Sequence, residues 1–222
     1  MAKHLYTFKD FKMNYLEPSS HYADIENGEL GNNSGRYEKK LSDMEGIYAD
    51  NVAFQQAVKS GGDEIVYKVT DKHPAARHGD MIIGMTQMQP GLIGDEFYVT
   101  RGHIHATANR PETYYGESGE GLMLMESPDG QINIQELRPR VMCYVPPFWI
   151  HRTVNTGSEP LVMTFFYPAD SGQDYEIIAK SGGMRSRIVA DGTGWKEVPN
   201  LSYTPRSDYE IEQVLATADK ED

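Results

Sequence analysis

The chain has 222 residues, 39% of them hydrophobic, with a net charge of −12 and a single cysteine, Cys143. The length supports one substantial core. The acidic balance, without a basic stripe, argues against nucleic acid and against an anionic lipid surface as partners. One cysteine excludes an internal disulfide and a thiolate zinc site. The N-terminal MAKHLYTFKDFKMNY has no apolar signal core, and no apolar run approaches the roughly 20 residues that cross a bilayer. These features predict a cytoplasmic protein that does not enter membranes.

Residues 1–35 are polar and turn-rich, and predict a surface arm or partly disordered leader. DNVAFQQAVKSGG, residues 50–62, predicts a helix capped by Asp50 and stopped by glycines. Its apolar stripe is Ala53, Phe54, Ala57 and Val58. From EIVYKVT onward the pattern changes to short segments rich in β-branched and aromatic residues. GDMIIGMTQM, EFYVTRGHIH, TYYG, GLMLMES, QINIQEL, VMCYVP, HRTVN and LVMTFFY are separated by turn signals such as QPG, SPDG and NTGSEP. Many short strands at close spacing predict an all-β sandwich or barrel. DYEIIAKSGG, residues 174–183, predicts a helix. RIVADGTGWKEV predicts a hairpin turning at Asp191-Gly192. In the tail, residues 201–222, Ser207 and Glu210 form a capping-box pattern, and Ile211, Val214 and Leu215 give a narrow stripe for a short helix.

Two of the seven histidines stand one residue apart in GHIHATANRPETYYGESGEG. On a strand, His103 and His105 would share a face. A loop would bring back Glu112 at the start of the next strand, with Tyr114 on the same face as Glu112. An isolated HxH pair in a β protein is more often two hydrogen-bonded histidines than a metal site. Glu112 at hairpin range, and His151 before a distant strand, move the balance towards metal. Three nitrogens and one carboxylate without thiolate suit Fe²⁺, Mn²⁺, Ni²⁺, Co²⁺ or Zn²⁺. His4, His21, His73 and His78 lie in polar or turn contexts and read as surface residues. GESGEG does not fit a dinucleotide fingerprint, because a strand follows it rather than a helix.

His103, His105, Glu112 and Gly119, followed by Pro146, His151 and Asn155, resemble the two motifs of the cupins. Phe97 and Arg140 stand where those motifs begin with Gly, and Phe148 replaces a further Gly. TRGHIHATANRPETYYGESGEG, YVPPFWIHRTVNTG and FFYPADSGQDY resemble one branch, the cupin-type glucose-6-phosphate isomerases. The resemblance runs from about Arg36 to about Trp195. It implies a cupin double-sheet β-barrel with a few peripheral helices, an isomerase domain over 36–200, and a homodimer. It also implies one divalent metal per chain, Fe²⁺ first, held by His103, His105, Glu112 and His151. Glu112 matches the proposed catalytic base, and Tyr114 matches a tyrosine lining the sugar pocket. Thr86, Thr100, Gly102 and Tyr167 match phosphate-binding positions, although each Thr on its own reads as ordinary strand content. Arg101 stands where the archaeal branch tends to have Lys, either against the phosphate or pointing outward. Gln173 departs from an expected histidine. The implied reaction interconverts glucose 6-phosphate and fructose 6-phosphate, by a cis-enediolate or by a hydride shift. The rival readings are a cupin iron oxygenase, which would need an apolar pocket, and a non-catalytic sugar-binding cupin.

Overall fold

The computed structural model describes residues 17–61, 63–74 and 79–219. His4 and His78 lie outside them. The chain opens with a small hairpin, β1 (Ala23–Asp24) and β2 (Glu29–Leu30), followed by β3 (Gly35–Lys40) and a 3₁₀ turn. Helix α1 (Asn51–Ser60) comes next, and the Asp50 side chain accepts from the Ala53 N–H as its cap. Phe54 is buried and stacks on Tyr48 at 6.0 Å. Burying a ring of this kind contributes about 1.5–3 kcal/mol, which anchors this short amphipathic helix.

The barrel strands then follow. They are β4 (Ile65–Lys72), β5 (Met81–Met88), β6 (Leu92–Ile93), β7 (Glu96–Phe97), β8 (Glu112–Ser118) and β9 (Gly121–Glu126). After them come β10 (Ile132–Leu137), β11 (Met142–Val145), β12 (Ile150–Asn155) and β13 (Leu161–Pro168). Helix α2 (Glu176–Lys180), the hairpin of β14 (Ser186–Asp191) and β15 (Gly194–Pro199), and helix α3 (Asp208–Ala216) complete the described fold.

One wall is an antiparallel six-stranded sheet in the order β11-β8-β13-β5-β4-β3. The facing wall combines β10-β9-β12 with β15-β14-β7-β6. Isolated bridges Val99–Val154 and His103–His151 join the stretch after β7 to β12. Met123, Leu124, Ile150, Leu161 and Met163 fill the interior between the walls. The expected all-β double-sheet barrel with a few short peripheral helices is therefore present.

Several local expectations need correction. EFYVTRGHIH is not one strand: β7 ends at Phe97 and only isolated bridges follow. The ladder is interrupted because Thr100 Oγ1, a side-chain atom, accepts the Thr153 N–H, and because Gly102 adopts φ +74°. Helix α2 is half the expected length. The last hairpin pairs Asp191 with Gly194, so it turns at Gly192-Thr193, one residue later than expected. In the α3 stripe Val214 packs on the core, whereas Leu215 is exposed. Residues 17–35 are not a loose surface arm. Leu30 is buried against Met85 and Val162, its N–H donates to Thr70 Oγ1, and Gln87 Nε2 donates to the Glu26 carbonyl.

Two motif positions that depart from Gly carry a conformational cost. Arg140 and Phe148 both sit at φ +71°, the left-handed region that glycine enters freely. The backbone has kept the glycine geometry without the glycine. Phe148 gains packing against the core in exchange, but Arg140 is exposed. Arg140→Gly should therefore stabilise the protein by about 0.5–1 kcal/mol, after the added freedom of the unfolded chain is counted. That corresponds to a rise of about 1–4 °C in melting temperature. An unchanged or lowered midpoint would show that contacts of Arg140 offset the strain.

Candidate active site

Glu112 opens β8, paired with Val145 of β11 in the six-stranded sheet. His151 comes from β12, and His103 and His105 come from the irregular segment facing it. The ligand atoms of His103, His105, Glu112 and His151 all lie within 4.8 Å of one another. Nε2 of His151, His105 and His103 stand 3.0, 3.2 and 3.8 Å from one Glu112 oxygen. The sequence-predicted ligand set is thus brought together. The two histidines share the site although no regular strand carries them.

Tautomers decide what these contacts can be. His105 Nδ1 donates to the Arg110 carbonyl at 2.7 Å, and His151 Nδ1 donates to the Trp149 carbonyl at 3.1 Å. A carbonyl only accepts, so both Nδ1 atoms carry hydrogen. A neutral ring then turns a bare Nε2 lone pair towards a carboxylate oxygen. That arrangement is favourable only if the rings take a second proton or a cation sits between them. Nε2 of His103 and His105 are buried without hydrogen-bond partners. Burial, reinforced by His151, holds His103 well below its usual range and therefore neutral. Burial opposes ionisation of Glu112, but hydrogen bonds and charge from His105 and His151, which those rings can give only once they take a second proton, outweigh it and pull the carboxyl below its ordinary value. These donors fit a divalent cation, and outer carbonyls fix the rings as metal sites require. The cluster can hold a metal ion.

A cavity of about 350 Å³ opens onto the cluster. Thr86, Thr100, Gly102, Tyr114 and Tyr167 line it, and Gln173 stands at its edge. Burial, and then the charge of the neighbouring Glu112 carboxylate, push the Tyr114 phenol well up, so it stays protonated. Burial does the same for Tyr167. Gln173 accepts from the Tyr175 hydroxyl. Arg101 is the exception: its guanidinium donates to the Asp43 carbonyl at 3.0 Å, and it is not among the residues lining the cavity.

The wall carries residues that sequence reasoning missed. Arg152 is buried, and burial first, then Arg187, lowers it to about 10, so it remains charged at neutral pH. It follows His151 on β12, and strand alternation directs attention away from it. Asp71 is buried on β4, and His73, exposed as expected, lies 3.0 Å from it at the rim of the cavity. The Asp71 signal was available: Tyr67, Val69 and Asp71 share one parity, and only Asp71 is charged. His21 bonds Ser19 and the Gly31 carbonyl, away from the site.

A family model described as glucose-6-phosphate isomerase (GPI) matches residues 38–206. The chain belongs to the glucose-6-phosphate isomerase family. A glucose-6-phosphate isomerase of Sinorhizobium medicae is 50% identical over 207 residues, covering 93% of this chain and 97% of that protein. One from Thermococcus litoralis is 38% identical over 182 residues, covering 82% and 94%. A third, from Thermococcus gammatolerans, is 41% identical over 182 residues with the same coverage. The matched span, residues 38–206, contains the whole ligand cluster and every cavity residue named above.

Gly102 is a tight backbone position beside the ligand cluster. A Cβ there would lie 2.8 Å from the Arg152 Cβ and 2.9 Å from the His151 carbonyl, and φ is +74°. Gly102→Ala should therefore cost about 1–3 kcal/mol of stability. It should also displace His103, the next residue. Thermal melting with and without added divalent metal would check both effects, and a variant that melts like the parent would contradict them.

Proposed function

We propose that the protein interconverts glucose 6-phosphate and fructose 6-phosphate at a divalent metal, Fe²⁺ in our assignment, held by His103, His105, Glu112 and His151. The observation that carries the reading is the convergence of those four donors in a hydroxyl-lined cavity, in a chain of this family. N and O donors without thiolate suit Fe²⁺ and its first-row neighbours. A bound divalent ion would supply positive charge for oxygens at C1 and C2 as negative charge develops there. In this reading residues 36–200 form the isomerase unit, and 201–222 form its tail.

The chain's own residues carry the rest. Aldose–ketose exchange moves a proton between C2 and C1, and Glu112 is the carboxylate placed to take and return it. Its ionised form is favoured by the adjacent imidazoles, so its basicity is modest, and the protonated Tyr114 phenol lies beside it. Thr86, Thr100, Tyr167 and the backbone at Gly102 supply neutral donors for the phosphate. Arg152 adds buried positive charge that Arg101, tied to Asp43, does not. This local charge matters because a protein of net charge −12 repels a sugar phosphate at long range. Five tyrosines, three threonines and Asp71 supply polar groups to the cavity wall, which favours a polyol phosphate over the apolar substrate of an oxygenase.

A homodimer is also part of the reading. The outer face of the six-stranded sheet exposes Met81, Met142, Tyr144 and Phe166 at 54, 71, 58 and 36%. No helix among the described residues is long and apolar enough to cross a membrane. The sugar-phosphate substrates suggest the cytoplasm as its place of work.

The deciding experiment measures fructose 6-phosphate formation with added metal, with and without oxygen. An isomerase turns over equally in both; ligand-induced stabilisation without turnover would mean a binding protein. Full activity in a verified metal-free sample would refute the metal's part. Glu112→Gln should retain metal yet lose turnover by roughly 10²–10⁴-fold. Near-normal turnover in that metal-replete variant would remove Glu112 as the base. Thr86→Val and Tyr167→Phe should each weaken binding of 5-phosphoarabinonate about tenfold to a hundredfold, the worth of about 1.5–3 kcal/mol for a hydrogen bond to a charged group. Unchanged affinity in both would relocate the phosphate.

A further inference from the structure

The tail beyond residue 206 lies outside the residues matched by the family model, yet it reaches the metal-ligand cluster through hydrogen bonds. We propose that the end of α3 positions the metal ligands, with Thr217 and Asn109 as positioning residues. This rests on the cluster being a metal site.

The chain of contacts is continuous. Thr217 Oγ1 accepts the Ala108 N–H at 3.0 Å and donates to the Val214 carbonyl at 2.8 Å. Asn109 Nδ2 donates to the Ala218 carbonyl at 2.9 Å. The loop so held is the one that returns the chain from His105 to Glu112. Its Arg110 carbonyl accepts from His105 Nδ1, and the Arg110 guanidinium is fixed bidentately on Asp170 at 3.0 and 2.8 Å. Asn109 Oδ1 accepts from Arg110 Nη1 at 2.7 Å, so one amide links the tail to the residue that orients His105. On the other side the Ala108 carbonyl accepts the Phe148 N–H at 2.7 Å. Phe148 holds its left-handed backbone there, and the next carbonyl, that of Trp149, accepts from His151 Nδ1. Two of the three imidazoles therefore take their orientation from carbonyls flanking a loop that the tail secures.

The tail is itself anchored firmly enough to act. Ser207 and Glu210 form both bonds of the capping box. Arg206 pairs with the fully buried Glu126 at 2.6 Å, and Val214 packs on the core. A frayed terminus could not hold a loop; a capped and ion-paired one can.

The test titrates metal-free protein with Co²⁺ against a competing chelator, well below the melting temperature. The visible Co²⁺ bands report ligand geometry. Thr217→Val keeps the shape and removes the hydroxyl. It should weaken Co²⁺ binding about tenfold, the lower end of the 10–100-fold range for outer-shell partners, and alter the bands. Asn109→Ala should do the same, and Thr217→Ser should restore the parental affinity. Gly28→Ala strains a hairpin remote from the site, so it should lower the melting temperature and leave Co²⁺ affinity unchanged. Parental affinity and bands in both Thr217→Val and Asn109→Ala would overturn the positioning role, whatever their stability. Failure of the parent protein to bind Co²⁺ would overturn the metal reading itself, and the inference with it.

Discussion

Glu112 is a carboxylate at the bottom of a barrel, 3% exposed, with three imidazole edges turned towards it. An isolated buried carboxylate is costly unless something positive or hydrogen-bonding meets it. Here the nearest groups are Nε2 atoms, and in His105 and His151 the other ring nitrogen already donates to a backbone carbonyl. The site thus has more acceptors than donors, and that imbalance is what a divalent cation corrects. The walls of the barrel, the returning loop and the positive-φ turn at Gly102 all act to keep these four groups from relaxing apart. In a flexible surface setting the imidazoles would turn to water, and the imbalance would disappear.

Holding the cluster requires rigid irregular backbone rather than regular strand. The segment from Val99 to His105 touches β12 at single bridges, because side chains and a glycine turn take over part of the ladder. Arg152 Nη2 donates to the Arg101 carbonyl at 2.6 Å and reinforces that turn. Arg140 and Phe148 show the same preference for a fixed conformation over a relaxed one. The family-like backbone persists there despite side chains that strain it, which implies that neighbouring packing determines the path more strongly than the local residue does.

The readable parts of the sequence were those with a short-range physical signature. Asp50 capping α1, the Ser207–Glu210 box, and the strand-length apolar runs other than EFYVTRGHIH report local energetics and are found. The ligand cluster was legible because Glu112 follows His105 at hairpin range and His151 precedes a strand. The hidden parts depend on contacts between residues far apart in the chain. Nothing local in HYADIENGELG says that Leu30 will be buried against Met85 and Val162. Arg101 and Arg152 could not be ranked, since the difference lies in which carbonyl each guanidinium meets. Strand alternation also misled at EFYVTRGHIH: its conclusion about the two histidines was right, while the regular strand it assumed is absent.

The charge pattern gives the cavity a direction. Asp71, with His73 beside it, lies on the β4 side, while Arg152 lies on the β12 side next to His151. A carboxylate repels a phosphate dianion and accepts from hydroxyls; a buried guanidinium attracts the dianion. In the proposed site a sugar phosphate would meet unequal walls, with Asp71 and the exposed Arg36 on one side and the buried Arg152 on the other. Neutral donors such as Thr86 and Tyr167 can then select geometry without having to overcome the protein's overall negative charge. In the proposed site binding and orientation would be separate tasks, the first served by the buried Arg152 and the second by hydroxyls whose positions the sheet register sets.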